Sequence, residues 1–479
     1  MKPSGPAGVI SAGLAVSGPV NTGSPKEEPT SWHCARTASR RTVWSRHCPI
    51  RHLISRDHHA PPAVADLPLA VPGYKALFLS SWLWHTTRWG GLFSCGYLVT
   101  KLTDAPILNQ LVGASIFAPM LFGGLIAGAL SDRLDRRRVI TTTQLILIPI
   151  SLAMFVLVQT DLVRVWMVFP FMIALGVGGL VNMTAQRALI YETVGPRFAG
   201  RALPMEAVGS SSSSMAGALV GGALIGAVGI GAAFGLMALT LCMSALLLRM
   251  VPHTATAPPV ASATVSVADQ MRSSVALLRR SSGMASMLGV TVVFNLFYFA
   301  FIPLVPVMAE RFDASALLTG VLGASVGAGQ LLSGLTFASF HVTQRGRVYV
   351  CGVVLALCSL SIFALAPHYA LGLIALVAAG AGAGGFGSMQ SVLVIEAAAD
   401  GERGAALGLL STAIGVLPLG MLLLGISAEL LGPQRALLAS SCAGLAVLAV
   451  WLTRQPAVLT DFPRSGVART VPQQISVVE

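Results

Sequence analysis

Long apolar stretches alternate with short polar segments along most of this chain, and the polar segments hold most of its charges. A helix needs about 20 residues to cross the hydrocarbon core of a bilayer. From residue 77 onward the pattern predicts twelve helices of this length. The predicted spans are 77–99, 107–130, 138–158, 164–186, 205–227, 229–248, 286–308, 315–340, 348–366, 370–393, 405–430 and 434–452.

The polar segment between the sixth and seventh spans is the longest of these segments, and it separates two sets of six helices. We therefore predict an all-α membrane protein built from two pseudo-symmetric six-helix bundles. The predicted domains are a basic, disordered N-terminal extension (1–73), a first bundle (74–250), a cytoplasmic linker rich in Pro, Ala, Thr and Ser (251–285), a second bundle (286–453) and a cytoplasmic tail (454–479).

The N-terminal extension lacks the apolar core of a secretory signal. We expect one of two roles for it. Either its arginines between Arg36 and Arg56 contact anionic lipid head groups, or the whole extension is dispensable for function.

The two halves of the chain share a repeat. Gln186 and Glu192 reappear 204 positions later as Gln390 and Glu396. A Gln followed six residues later by a Glu, at the same helix end in both halves, is hard to attribute to chance. Two parallel six-helix repeats are a transporter design, with the substrate path between them near the membrane midplane. Further matches at the same shift are Gly176 with Gly380, Gly178 with Gly382, and Gly221 with Gly425.

Positive charges are distributed unevenly between the two predicted membrane sides. Of the 31 Lys and Arg residues, 26 fall in the predicted extension, the tail and the loops of one side. Because Lys and Arg are retained on the cytoplasmic side, both termini are predicted to be cytoplasmic. This distribution accounts for the net charge of +12 without nucleic acid as a partner. The cationic residues elsewhere are Lys101, Arg164, Arg311 and Arg435 on the other side, and Arg88 within a span.

Composition excludes a soluble domain, since the mean hydropathy is +0.75 and only 10% of the residues are charged. The glycine-rich segment from Gly380 to Gly387 resembles a dinucleotide-binding loop, but it lies within an apolar span and predicts helix packing. We find no Walker loop, metal-ligand cluster or nucleophile motif. The sequence therefore predicts no enzyme, no cofactor and no metal.

A dense charge motif, Gly-Ala-Leu-Ser-Asp-Arg-Leu-Asp-Arg-Arg-Arg, occupies residues 128–138 between the second and third spans. It resembles the Gly-x-x-x-Asp-Arg-x-Gly-Arg-Arg loop of the major facilitator superfamily. Asp135 stands at the second glycine, a variant familiar among the drug and siderophore exporters of that superfamily. The resemblance covers about residues 74–453, and its matching positions are Gly128, Asp132, Arg133, Arg136 and Arg137.

The resemblance implies a latch in this loop. Asp132 would cap the start of the eleventh helix when the cytoplasmic side is closed, because a carboxylate is favoured at a helix N-terminus. The arginines would pair with Glu192, the acid that ends the fourth helix, through parallel hydrogen bonds. The alternative is a charge cluster that only fixes topology. A reduced copy, Arg345-Gly346-Arg347, either pairs with Glu396 or stays solvated.

A second motif lies in the fifth span, where Gly217, Gly221 and Gly222 resemble the Gly-Pro-x-x-Gly-Gly element of major facilitator antiporters. Ala218 replaces the proline. The resemblance implies close helix packing that seals the transporter against leaks. Ordinary packing of small residues in lipid is the other interpretation.

Arg88 is the charge buried deepest in a predicted span. It lies about eleven residues, or roughly 16 Å, from either end of the first span. That distance is too long for snorkelling, so Arg88 must face the bundle interior or a watery cavity. It binds an anionic group of the substrate, or it is satisfied by backbone carbonyls and polar side chains. The candidate polar partners are Asn109, Gln144, Asn182 and Asn295.

Related exporters often carry an Asp where this chain has Arg88. If protons drive transport here, the resemblance leaves His85, Glu206 or Glu192 to carry them. Histidine gains and loses a proton between pH 5 and 8, which suits His85 to this role, whereas the other interpretation is that a lone histidine on a helix is structural.

These observations predict a monomeric secondary transporter that works by alternating access. We expect export of a small drug-like or siderophore-like molecule, coupled to protons, across the cytoplasmic membrane of a bacterium. Two alternatives remain open: uptake of an anionic nutrient held by Arg88, and a receptor or scaffold that has kept the fold and lost transport.

Overall fold

The computed structural model describes residues 54–55, 68–133, 135–252, 276–339, 341–398 and 403–459. The side chains of residues 122–134 are outside the described set, as are most of the predicted N-terminal extension, the linker and the tail. The described chain is almost entirely helical, and it forms the predicted twelve helical passes in two pseudo-symmetric six-helix bundles.

The first half contains five continuous helices that cover six passes. They are α1 (Tyr74–Leu102), α2 (Pro106–Arg133), α3 (Arg136–Gln159), α4 (Val165–Ala227) and α5 (Ile230–Leu248).

Helix α4 joins the fourth and fifth passes without the loop that the sequence predicted. Its 63 residues would extend about 95 Å if straight, three times the thickness of a bilayer core. Gly195 breaks the helix with φ 70° and ψ 173°, a conformation that glycine adopts readily. Pro196 then starts the second arm, because proline suits a first helical turn. Both arms pack on the same part of α1, so the chain reverses direction at Gly195.

The second half is less regular. Its helices are α6 (Ser282–Val293), α7 (Val305–Glu310), α8 (Ala316–Ser339), α9 (Arg345–Leu365), α10 (Tyr369–Ala397), α11 (Arg403–Ile414), α12 (Leu417–Leu431) and α13 (Pro433–Arg454). A π-helix (Phe294–Tyr298) and a 3-10 helix (Phe299–Leu304) connect α6 to α7.

The seventh and eleventh passes are therefore interrupted, whereas the sequence predicted continuous helices. Pro303 and Pro306 remove two backbone donors from the seventh pass, and a proline inside a helix disrupts its hydrogen bonds. In the eleventh pass, Gly415 and Pro418 fall where α11 gives way to α12. The seventh pass also begins at Ser282, four residues before the predicted 286, because Ser281 caps it by accepting a hydrogen bond from Met284 N.

Among the described residues, nine helical segments are long and apolar enough to cross a membrane. One of them, α4, contains two passes, and α2 qualifies as an apolar helix over Pro106–Leu121. Helix α1 falls outside the set, and it carries six buried Ser and Thr side chains in addition to His85 and Arg88. These six hydroxyl groups face other helices rather than lipid.

The sequence repeat corresponds to equivalent packing in the two halves. Gly176 of α4 lies against the backbone of Ile116 in α2, and Gly380 of α10 lies against the backbone of Val326 in α8. A side chain at either glycine would collide with the neighbouring carbonyl. The fourth and tenth passes thus cross the second and eighth passes in the same way.

We call the membrane side that carries residues 133–136 and the segment after α5 the basic side, and the other the opposite side. On the opposite side the two halves touch along two seams. In the first, a Cβ at Gly222 of α4 would lie 2.6 Å from the Ala316 carbonyl oxygen and 2.7 Å from Gly320 Cα of α8. In the second, a Cβ at Gly425 of α12 would lie 3.0 Å from Gln110 Cβ of α2.

The seam between α4 and α8 runs from the opposite side toward the middle of the helices. The two helices are in contact as far as Gly327, whose Cβ would lie 2.7 Å from the Met215 backbone nitrogen. Nearer the basic side, a Cβ at Gly200 or Gly334 would meet no described atom within 4 Å. The close glycine contacts of this seam therefore lie between the opposite side and Gly327, and Gly200 and Gly334 take no part in them.

Two further contacts involve the ends of the helices. Lys101 Nζ of α1 lies 3.0 Å from Glu310 Oε1 of α7 and joins the halves on the opposite side. Both side chains are about half exposed, so the pair contributes little stability. On the basic side, strand β1 (Ile54–Ser55) pairs antiparallel with β2 (His341–Val342).

The seam at Gly222 generates a testable prediction. In Gly222→Ala the new methyl group must push α4 from α8, and overpacking of this kind costs about 1–3 kcal/mol. We expect an Ala316→Cys reporter, placed in a variant without native cysteines, to react faster with a water-soluble maleimide. Gly226→Ala is the matched control, because its Cβ would lie 3.8 Å from the nearest atom. Equal labelling in the two variants would contradict the role of the seam.

Candidate functional site

A cavity of about 150 Å³ lies between the two halves near the middle of the helices. The first half contributes Trp89, Phe93 and Ser214 to its wall, and the second half contributes Phe299, Phe301 and Gln330. The interrupted seventh pass supplies the aromatic residues of the second half, since Phe299 and Phe301 both belong to its 3-10 helix. The wall is mostly apolar with a few polar groups, which is typical of small-molecule sites.

His85 and Glu206 form a pair inside the first half. His85 Nε2 of α1 lies 3.1 Å from Glu206 Oε1 of α4, and the side chains are only 16% and 13% exposed. His85 Nδ1 is buried without a hydrogen-bond partner among the described residues. The sequence had named both residues as candidate proton carriers without predicting that they meet. The pair can share or exchange a proton within the membrane-spanning region.

Arg88 lies one helical turn further along α1, between α2 and the first arm of α4. Its Cζ atom is 5.1 Å from the centre of the Phe117 ring and 5.8 Å from that of Trp89. Its Nε is buried without a hydrogen-bond partner, and no acid of the described chain lies within ion-pair distance. Gly179 makes room for it, since a Cβ there would lie 2.9 Å from Arg88 Nε.

The four polar residues proposed as partners of Arg88 make other contacts or none. Asn109 donates to Thr100 Oγ1, and Asn295 donates to the Thr291 carbonyl oxygen. Asn182 is 1% exposed, and its Oδ1 has no partner among the described residues.

Gln144 belongs to a separate buried network, where its Nε2 donates to Ser244 Oγ at 2.9 Å. Ser244 in turn hydrogen-bonds with Ser80 at 2.8 Å. This network ties α3 and α5 to α1 and is structural.

The charge motif ties neighbouring helices together on the basic side. Arg136 Nη1 contacts Glu192 Oε1, which joins α3 to the first arm of α4. Arg345 Nη1 contacts Glu396 Oε1 in the equivalent position of the second half. Both pairs lie within one half each, so they stiffen the halves and do not join them.

Asp135, which stands at the second glycine of the motif, has a structural role at the start of α3. Its side chain caps α3 by accepting hydrogen bonds from the backbone nitrogens of Arg137 and Arg138. Arg137 Nη1 also donates to the Val251 carbonyl oxygen at 2.8 Å, which anchors the end of α5. The side chains of Asp132 and Arg133 and the surroundings of Gly128 are outside the described part of the chain. The contact of Asp132 with the eleventh pass therefore remains a prediction.

The glycines of the second motif occupy helix crossings. A Cβ at Gly217 would lie 2.7 Å from the Gly90 backbone nitrogen of α1. A Cβ at Gly221 would lie 3.3 Å from Phe93. Together with Gly222, they bring the second arm of α4 against α1 on one face and α8 on the other.

The sequence did not predict the aromatic wall of the cavity. Trp89, Phe93 and Phe299 look like ordinary lipid-facing residues in an apolar run. The available signal was the pair Pro303 and Pro306, because two prolines so close together predict an irregular helix.

The fold and the central cavity define an integral membrane transporter of the major facilitator type. The sequence profile of the family described as transmembrane secretion effector matches residues 64–465. The chain belongs to this family. A search of curated protein sequences finds no relative of the chain.

Solved structures show the same fold at low sequence identity. A bacterial homologue of the human lysosomal transporter Spinster, inward-facing and unoccupied, has a TM-score of 0.62 and 13% identity over 82% of this chain and 98% of its own. A mutant of the nucleoside transporter NupG has a TM-score of 0.60 and 15% identity over 80% and 99%. The human organic anion transporter MFSD10 has a TM-score of 0.57 and 16% identity over 82% and 100%.

Thermal stability tests the Arg136–Glu192 and Arg345–Glu396 contacts on the basic side. Glu192→Gln removes one charge of the Arg136 pair, and Glu396→Gln removes the equivalent charge in the second half. We expect each to cost about 1 kcal/mol, or about 2–4 °C in melting temperature for a unit of this size. Differential scanning fluorimetry in detergent measures the change.

Glu429→Gln is the control, since Glu429 is exposed at the end of α12. Unchanged melting in both pair variants would show that the contacts do not stiffen the halves.

Proposed function

We propose that the protein is a proton-coupled exporter that moves a small organic molecule, of drug or siderophore size, by alternating access. The observation that carries the proposal is the unequal contact between the halves toward the two membrane sides. The halves meet through Gly222 and Gly320 on the opposite side, while a Cβ at Gly200 or Gly334, on the same two helices nearer the basic side, would meet no described atom within 4 Å. A cavity between two bundles that is sealed at one end is the arrangement that a rocking transporter requires.

The His85–Glu206 pair supports coupling to protons. A carboxylate is costly inside a membrane, so such groups are commonly paired and functional. When Glu206 takes up a proton, its attraction for His85 weakens, and α1 is free to move relative to the second arm of α4. Both helices also bound the central cavity through Trp89 and Ser214. Protonation of the pair is thus mechanically linked to the shape of the cavity.

Two observations support export as the direction. The family description speaks of secretion, and the fifth-pass glycines resemble an antiporter element. The distribution of arginines supports a basic side that faces the cytoplasm, so separation of the halves on that side would admit a cytoplasmic substrate.

Everted and right-side-out membrane vesicles test the direction. We expect energised everted vesicles to accumulate one or more of three fluorescent probes: carboxyfluorescein, N-phenyl-1-naphthylamine and ethidium. Accumulation confined to right-side-out vesicles would indicate uptake. If no probe moves and cysteine reporters detect a single access state, the protein is a scaffold and the proposal is wrong.

Proton coupling is tested by Glu206→Gln, which keeps the shape of the side chain and removes its titration. We expect accumulation driven by an imposed pH gradient to fall by about tenfold or more, because carriage of the coupled proton is lost. Probe exchange without a gradient should continue. Glu429→Gln, which removes an exposed carboxylate, should leave both activities intact. Full gradient-driven accumulation in Glu206→Gln would exclude this carboxylate as the carrier.

A further inference from the structure

We propose that Arg88 and the aromatic cavity beside it form a binding site for an organic anion, a molecule with an apolar body and one carboxylate or sulfonate group. The inference rests on the proposed transport function and names the substrate class of its central site. It depends on three features: the environment of the guanidinium group, the composition of the cavity wall, and the residue that belongs to both.

The guanidinium group has its faces occupied, and its hydrogen-bond donors have no partner among the described residues. The rings of Phe117 and Trp89 lie 5.1 and 5.8 Å from its Cζ atom, and arginine stacks favourably on aromatic rings. The N–H donors point along the plane of the group, where no described side chain accepts from them. This edge is the part of arginine that binds a carboxylate through two parallel hydrogen bonds.

An unpaired guanidinium in this position is costly. Charged side chains within a membrane protein are normally paired with an acid or with backbone carbonyls. Within the described chain no acid forms an ion pair with Arg88, and Glu206, the acid in the same bundle that lies inside the membrane, pairs with His85 instead. An anionic ligand would supply the missing countercharge. Arg88 itself does not line the cavity, but the residue keeps part of its surface exposed, and the proposal places the anionic group of the ligand there.

The cavity wall determines the rest of the ligand. Trp89, Phe93 and Phe299 present aromatic surface, whereas the polar groups of the wall are Ser214 and Gln330. Inorganic anions such as phosphate need several polar donors, which this wall does not offer. An apolar body gains by leaving water for such a surface.

Trp89 connects the two parts of the site. Its ring lies against Arg88 and also lines the cavity. A ligand whose apolar body packs on Trp89 therefore places its anionic group near the guanidinium. Gly179 keeps this position open, since any side chain there would displace Arg88.

Equilibrium binding tests the inference without a transport step. The probes are radiolabelled benzoate and benzamide, which share a shape and differ in charge, and a cavity of about 150 Å³ accommodates a benzene ring. Equilibrium dialysis uses the full chain in nanodiscs of neutral phosphatidylcholine. We expect the wild-type protein to bind benzoate about tenfold more tightly than benzamide, which corresponds to about 1.4 kcal/mol. Inorganic phosphate at the same concentration should not displace benzoate.

Three variants test whether Arg88 is responsible for the preference for benzoate over benzamide. In Arg88→Gln the two probes should bind equally, with benzamide affinity unchanged, and in Arg88→Lys part of the preference should remain. Arg435→Gln removes an exposed arginine at the start of α13 and should behave as wild type.

The inference is overturned if wild-type protein shows no preference, if phosphate displaces benzoate, or if either Arg88→Gln or Arg88→Lys keeps the full preference. A preference that depends on Arg88 in a protein that moves no probe would support the site and refute the transport proposal. Transport of a probe by a protein that shows no preference for benzoate would support the transport proposal and refute the anion site.

Discussion

The close approach of backbones across the Gly222–Gly320 seam of the opposite side is the constraint on which the rest of the structure depends. At Gly222 and Gly320, two helices from different halves approach until a single methyl group would collide with a backbone atom. In lipid there is little hydrophobic force between helices, so packing of this kind holds them together. Because the seam lacks bulky side chains, the halves can separate and meet again without repacking a core. The closed end of the cavity on the opposite side follows from this contact.

The second seam differs from the first in its polarity. Gly425 is the repeat equivalent of Gly221, yet the helix it meets presents Gln110, which is fully buried. Neither the amide nitrogen nor the amide oxygen of Gln110 has a partner among the described residues. An unsatisfied buried amide costs about 1–3 kcal/mol. This seam is therefore held less tightly than its counterpart, and opening it exposes an amide that water can hydrate. A closed seam with a built-in cost is suited to a protein that must alternate between two states.

Sequence reasoning predicted the number of passes and the repeat because both depend on composition and spacing. Apolar length identifies a span regardless of which residues fill it, and Glu192 and Glu396 mark equivalent helix ends. The break at Gly195 was not predicted, since the surrounding arginines indicated a loop where the chain instead turns within one residue. The contact between the His85 and Glu206 side chains could not be predicted from the sequence, because it depends on how α1 is rotated about its own axis relative to α4. The aromatic cavity wall depends on the irregular segment Phe294–Leu304. Pro303 and the nearby Pro306 are visible in the sequence, but the direction in which this segment orients its side chains is not.

Distances across the two membrane sides, measured in the same protein, test the account most directly. Spin labels at Leu203 and Leu335 report on the basic side, and labels at Val228 and Leu317 report on the opposite side; all four residues are exposed. Pulsed electron resonance in nanodiscs would follow both distances as pH is lowered from 8 to 5, the range in which histidine titrates. The account predicts that the opposite-side distance lengthens as the basic-side distance shortens. Distances that change in the same direction, or only one that changes, would contradict a rocking motion about the glycine seams.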